Sequence, residues 1–344
     1  MSQKTFHVAV VGATGAVGQQ MLNTLSERNF PIGELSLLAS ARSAGQTIEF
    51  KGENITIKEA TPEAFEGVEI ALFSAGGSIS KKLAPEAVKR GAVVIDNTNA
   101  FRMEEGVPLV VPEVNPEDIA LHKGVISNPN CSTIQMVVAL KPLKDRYGLK
   151  KIIVSTYQAV SGAGNVAMDE LVRQTKAVIN KEEFTPEILP VGSLEKKHQI
   201  AFNAIPQIDV FQENGFTLEE MKMINETKKI MHDQSLEIAT TCVRIPVLTG
   251  HSESIYIELE QEVNLDEVRK LLSEAPGVIL EDNPAEQHYP LATRASGRPE
   301  VFVGRLRKDL NNPKGLHMWV VSDNLLKGAA WNSVQIAEKF IEGL

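Results

Sequence analysis

The chain has 344 residues, 43% apolar and 23% charged, with a net charge of −9. That length forms about two domains with sizeable cores, and the negative balance argues against a nucleic-acid or anionic-membrane surface, so an anionic ligand must be held by local arginines and lysines. Two cysteines are too few for a disulfide framework and fit a reducing cytoplasm, no Cys/His cluster has metal-ligand spacing, and the apolar run Phe6 to Val11 is too short for a signal peptide or a membrane span.

Residues 6 to 11 (FHVAVV) read as a buried strand. Gly12-Ala13-Thr14-Gly15-Ala16-Val17-Gly18 follows, then a helical stretch with Val17, Met21, Leu22 and Leu25 on one face. A strand, a glycine loop and a helix in this order suit a dinucleotide: glycines let the backbone approach a pyrophosphate, and the helix N-terminus stabilises its charge. The spacing departs from the commoner G-x-G-x-x-G, and an ordinary tight turn is the bland alternative. Leu35 to Ala39 is a second strand. An NAD site usually offers a carboxylate at its end; here Ser40-Ala41-Arg42-Ser43 offers a cation and two hydroxyls, which suit the 2′-phosphate of NADP. A solvated arginine is the alternative there.

Ile55 to Lys58, Ile70 to Phe73 and Val93 to Ile95 are further short apolar runs, with a helix over Ser80 to Arg90. The alternation implies a parallel sheet covered on both faces, a Rossmann-type domain in an α/β chain. Asn97 to Arg102 places Arg102 after a strand end, where ligands bind in open α/β sheets.

Val125-Ile126 leads as a strand into Asn128-Pro129-Asn130-Cys131-Ser132-Thr133, and Ile134 to Leu140 reads as a buried helix. Cys131 thus sits at a helix mouth, where unpaired N–H groups and the helix dipole favour the nucleophilic thiolate. An inert core cysteine is the alternative, and that is the reading for Cys242, on a buried strand.

Beyond Cys131 the texture changes. Strands are expected over Lys150 to Val160, Ala239 to Val247 and Ser252 to Glu260, the last alternating as a half-exposed antiparallel strand. Helices are expected over Asn165 to Asn180, Thr217 to Met231, Leu265 to Ala275 and Asn324 to Leu344. This makes a mixed α+β domain over 131–323, with residues 1–130 and the C-terminal helix 324–344 forming the nucleotide domain. Gln158 precedes the small-residue turn Ser161-Gly162-Ala163-Gly164, Arg244 precedes Ile245-Pro246, and His251 follows Gly250. Glu219 and Lys222, three apart, share a helix face.

GATGAVG, NPNCSTIQ, VSGAGN, CVRIPVLTGHSES and SDNLLKGAAWNSVQIAE together closely resemble the bacterial aspartate-semialdehyde dehydrogenase family, over residues 5 to 342. The resemblance implies NADPH-dependent reduction of L-aspartyl 4-phosphate to L-aspartate 4-semialdehyde through a cysteine thioester, a step toward lysine, threonine, methionine and diaminopimelate. It makes Cys131 the nucleophile, His251 the acid/base residue, and Gln158 the glutamine that places the substrate. Arg244 is then the α-carboxylate ligand, Arg102 and Lys222 hold the phosphate, and Asn130 falls among the substrate contacts. Glu219 is the partner of the substrate ammonium, with adjacent Glu220 as the alternative. Gly12, Ala13, Thr14, Gly15, Ala16, Val17, Ser40, Ala41, Arg42, Ser43, Ser161, Gly162 and Asn324 match cofactor contacts. Homodimers or homotetramers are implied, formed through the second domain. Two rival readings stay open: an N-acetyl-glutamyl-phosphate reductase-like enzyme, and a catalytically silent NADP-binding protein.

Overall fold

The computed structural model describes residues 4–343. The chain forms two compact units: one ends at Asn130 and resumes at Ala329, and the other is Cys131–Gly328.

The first unit carries β1 (Phe6–Val11), α1 (Ala16–Glu27), β2 (Ile32–Ala39), the hairpin β3 (Thr47–Phe50) and β4 (Glu53–Thr56), β5 (Lys58–Glu59), β6 (Ile70–Phe73), α2 (Gly77–Lys89), β7 (Val93–Asp96) and β8 (Val125–Ser127). Its six-stranded sheet has the order β5-β2-β1-β6-β7-β8 and every pairing is parallel. The strand order reverses between β1 and β6, where open α/β sheets bind ligands. Both faces are covered, which explains the near-continuous apolar strands. Val8 and Val10 of β1 pack with Met21, Leu25 and Val334 on one face. Ala9 and Val11 pack with Phe73, Leu83 and Ala87 on the other.

The second unit carries α3 (Cys131–Tyr147), β9 (Leu149–Gln158), α4 (Asn165–Asn180), α5 (Leu218–Ile230), β10 (Glu237–Arg244), β11 (His251–Leu259), α6 (Leu265–Glu274), β12 (Val278–Leu280), α7 (Ala292–Ala295), β13 (Val301–Lys308) and β14 (Gly315–Ser322). Its sheet runs β10-β9-β11-β14-β13-β12, parallel at the β10–β9 and β13–β12 edges and antiparallel between. The expected mixed sheet is present. β11 is an inner strand of it, and its alternation arises because Ile255, Ile257 and Leu259 are buried while Tyr256 and Glu258 are half-buried. Helix α3 is buried from Ser132 through Leu140.

The C-terminal segment departs from expectation. The helix α8 is Trp331–Glu342, and Leu326–Ala330 before it forms one π-helical turn. Asn324 to Gly328 belong to the second unit, not to the first with α8. The cause is local: Asn324 bonds to Ser161 and Gly250, and Gly328 abuts Cys131, all residues of the second unit.

Candidate active site

In the second unit the sheet face toward α3 carries two rows of functional side chains. Register sets Arg244 of β10 beside Gln158 of β9, and His251 of β11 beside Ser322 of β14. One row deeper, Cys242 and Glu253 both pair with Thr156. Strand alternation keeps each row on one face, since residues two apart point the same way.

Cys131 opens α3 and is half-buried, as expected at a helix mouth. The next residue, Ser132, was not singled out from the sequence, yet it joins the site: Gln158 Nε2 donates to Ser132 Oγ at 2.6 Å, and Ser132 Oγ donates to Glu219 Oε1 at 3.3 Å. Gln158 Nε2 also donates to Glu219 Oε1 at 3.2 Å. Its signal lay within the cysteine motif itself, as the first hydroxyl of a buried helix. Lys222 Nζ donates to Asp209 Oδ2 at 2.9 Å and to Glu219 Oε2 at 3.5 Å.

Arg244 is 4% exposed. Its Nη1 donates to the carbonyl of Ala159 at 2.7 Å, while its Nε is buried without a partner. Burial lowers its pKa, and the nearby Glu219 and Cys131 oppose that shift. A buried guanidinium with a free donor beside a buried carboxylate matches the paired charges of an amino-acid head group. His251 is fully buried; Ala159 N–H donates to its Nδ1 at 3.0 Å and its Nε2 has no partner. Gly162 lies over this pair, with its virtual Cβ 2.9 Å from Arg244 Nη1 and 3.5 Å from His251 Nε2. Burial pushes the Cys242 thiol up, in keeping with an inert core residue, and raises the Glu253 carboxyl well above its usual range.

Asn324 Nδ2 donates to Ser161 Oγ at 2.9 Å, and its Oδ1 accepts from Gly250 N–H at 2.9 Å. This ties the Ser161–Gly162 turn to the residue before His251.

In the first unit the glycine loop fits a dinucleotide. Gly12 has φ +88°, and a Cβ there would meet the Ser74 carbonyl carbon at 2.9 Å; at Gly18 it would meet Gly12 O at 2.1 Å. These two glycines bring strand and helix together as a pyrophosphate loop requires. A cavity of about 450 Å³ lies at the strand ends, lined by Gly12, Thr14, Gly15, Ser40, Ala41 and Ser74 among others. Ala13 is buried, while Ala16 and Val17 begin α1. Arg42 is exposed on the turn after β2 and Ser43 closes that turn, donating N–H to Ser40 O at 2.9 Å. Ser74 and Ala75, also lining the cavity, follow β6; the same strand-end rule that marked Arg102 would have found them. Arg102 is buried and pinned by carbonyls, with Nε donating to Asn128 O at 2.9 Å and Nη2 to Asn97 O at 3.0 Å. Asn130, buried, ends this unit.

Two family models match the chain: "Semialdehyde dehydrogenase, NAD binding domain" over residues 7–122 and "Semialdehyde dehydrogenase, dimerisation domain" over residues 140–327. The aspartate-semialdehyde dehydrogenase of Bacillus subtilis (strain 168) is 66% identical over 333 residues, covering 96% of each chain. The crystal structure of aspartate semialdehyde dehydrogenase II of Vibrio cholerae, complexed with ASA, superposes with a TM-score of 0.93 at 47% identity, covering 99% of each chain. The Candida albicans aspartate semialdehyde dehydrogenase, solved with NADP, superposes with a TM-score of 0.73 at 25% identity, covering 98% of this chain and 99% of that one. This chain belongs to the aspartate-semialdehyde dehydrogenase family.

Proposed function

We propose that the chain reduces L-aspartyl 4-phosphate to L-aspartate 4-semialdehyde with release of phosphate, and that Cys131 carries the acyl group. The observation that carries this reading is a buried glutamate bonded to Ser132 of the helix that Cys131 opens, within electrostatic reach of the buried Arg244. The Cys131 thiolate attacks the acyl phosphate, phosphate leaves, and a thioester remains. NADPH, when bound on the glycine loop, supplies the hydride that reduces this thioester. Arg244 takes the α-carboxylate through its free Nε, in a dry setting that strengthens a charge-assisted pair. Glu219, oriented by Gln158 and Ser132, accepts from the α-ammonium. Arg102 and Lys222 are the phosphate ligands, Asn130 is a substrate contact, and His251 is the acid/base residue, a role suited to an imidazole.

The cofactor contacts are Gly12 to Val17, Ser40 to Ser43, Ser161, Gly162 and Asn324, with Arg42 opposite the 2′-phosphate. An N-acetylated substrate has no ammonium and would leave Glu219 without a purpose. The outward face of the second sheet, with Ile153 43% exposed and Tyr157 against Trp319 at 5.5 Å, suits the interface of a homodimer or homotetramer. Two free cysteines suit the cytoplasm. Among the described residues no helix is long and apolar enough to cross a membrane.

The test is acyl-enzyme trapping. Semialdehyde and NADP⁺ without phosphate should release about one equivalent of NADPH per active site and leave the aspartyl mass on the Cys131 peptide. An unmodified Cys131 alongside NADPH formation would overturn the assignment.

A further inference from the structure

We propose that Asn128 is a positioning residue for Arg102: with Asn97 and Asn332 it forms a one-way relay of amides that braces the two carbonyls on which the Arg102 guanidinium rests. The inference rests on the reading of Arg102 as a phosphate ligand, and it concerns three asparagines with no part in the proposed reaction.

The sheet brings the first two together. Asp96 of β7 pairs with Ser127 of β8, and the strands stay paired one residue further, since Asn128 N–H donates to Asp96 O at 2.8 Å. Asn97 and Asn128 therefore stand side by side at the carboxyl ends of adjacent parallel strands, where open α/β sheets bind ligands. Arg102 reaches back to both. Its Nε donates to Asn128 O at 2.9 Å and its Nη2 to Asn97 O at 3.0 Å. The donors of a guanidinium form a rigid planar fork, so two carbonyls at fixed spacing set its plane. Both acceptors are neutral, and these two bonds orient the cation without cancelling its charge.

The side chains of the same two residues are joined. Asn128 Nδ2 donates to Asn97 Oδ1 at 2.7 Å and to Pro129 O at 3.3 Å. Asn128 Oδ1 accepts from Asn332 Nδ2 at 2.7 Å, and Asn332 Nδ2 also donates to Val110 O at 3.0 Å. Asn332 is the second residue of α8.

One atom dictates the direction of every amide. A backbone carbonyl can only accept, so the group that faces Val110 O is the NH₂ of Asn332. That NH₂ also faces Asn128, which must answer with its oxygen. The NH₂ of Asn128 then faces Asn97, which must do the same. Asn128 and Asn332 are fully buried, so neither can turn over without leaving polar atoms unpaired, which is costly. Asp96 holds the other flank of Asn97: its carboxylate accepts from Ser80 Oγ at 2.9 Å, from Thr98 N–H at 3.0 Å and from Thr98 Oγ1 at 2.8 Å. A shift of Asn128 or Asn97 moves that residue's carbonyl, and Arg102 with it. An oxyanion is held by donors aimed at its oxygens, so a guanidinium turned off its plane loses phosphate first.

The test is the phosphate-dependent oxidation of semialdehyde by NADP⁺, with KM read separately for phosphate, semialdehyde and NADP⁺. Asn332→Asp places a carboxylate against two acceptors, Val110 O and Asn128 Oδ1, so the relay must break. We expect KM for phosphate to rise about tenfold or more, and the other two KM values to stay within about twofold. If that variant does not fold, Asn97→Ala carries the test: Asn97 is half-buried, and its truncation leaves Asn128 and Asn332 bonded to each other. An unchanged phosphate KM in a folded variant, or equal rises in all three values, would overturn the proposal. Arg102→Leu in the same assay separates the two levels of failure. A phosphate KM raised by Arg102→Leu but not by the relay variants strikes the relay alone. A phosphate KM that Arg102→Leu leaves unchanged strikes the reading of Arg102, and the relay's purpose with it.

Discussion

Glu219 and Glu220 are neighbours on the first turn of α5, and their carboxylates serve different ends. Glu219 Oε1 accepts from Ser132 and Gln158 beside the site. Glu220 Oε2 accepts from the Thr217 N–H at 2.7 Å, closing a capping box, and its Oε1 accepts from the Cys242 N–H at 3.0 Å. Glu220 is thus spent on holding α5 against β10. Glu220→Ala should cost about 1–2 kcal/mol of stability with KM for the semialdehyde little changed. Glu219→Gln should leave stability nearly intact and raise that KM by about tenfold or more, for a lost charge-assisted bond. Urea unfolding beside steady-state kinetics separates the two; the reverse pattern would exchange their roles.

Gly328 lies where a methyl group would sit 2.6 Å from Cys131 Cβ and 3.2 Å from its Cα. No side chain fits without moving the nucleophile. The π-helical turn Leu326–Ala330 makes this approach possible. Gly328→Ala should therefore lower kcat by about a hundredfold, the scale for a displacement near 1 Å, in a protein that still folds. Wild-type kcat in that variant would mean the turn has slack.

Glu253 is fully buried with neither carboxylate oxygen paired, and burial raises its carboxyl well above the usual range. The folded state keeps its proton where the unfolded chain loses it. Its contribution to stability is thus complete below the unfolded pKa and falls as pH rises above about 4.5, by about 1.4 kcal/mol per unit at most. Glu253→Gln should remove that slope and be more stable than wild type at pH 8. Thermal melts of both proteins across this range check it, and parallel curves would show the carboxyl ionised in the fold.

Arg42 is exposed at the turn after β2, free to meet a ligand phosphate. Arg42→Glu should weaken NADPH at least about tenfold more than NADH, since a like charge would face the 2′-phosphate. Equal losses for both cofactors, read by fluorescence titration, would remove the contact.

The first unit was legible because strands buried on both faces form continuous apolar runs and the glycine loop falls between a strand and a helix. β13 escaped because it is bulged: Arg305 has φ 53° and the register shifts between Gly304 and Arg307, which breaks the period-two pattern. The hairpin β3–β4 turns on Lys51 and Gly52, both with positive φ, and read as one run further along the chain. Local propensity extends the C-terminal helix back to Asn324 because it does not reveal the contact of Gly328 with Cys131. In the site, the charged and nucleophilic residues stood out by type. Glu220 was also readable, since Thr217-x-x-Glu220 is a capping-box pattern. The backbone N–H that orients His251 was not, because strand pairing brings it from 92 residues away.

In the proposed reaction Cys131 passes an acyl group between phosphate and a hydride donor. The most direct measurement is NADPH formation from L-aspartate semialdehyde and NADP⁺, with and without inorganic phosphate, in wild type and Cys131→Ala. Sustained NADPH formation that requires phosphate and vanishes in the variant, while the variant still binds NADPH, is the predicted result. Turnover that ignores phosphate, or that survives loss of the thiol, would contradict the account.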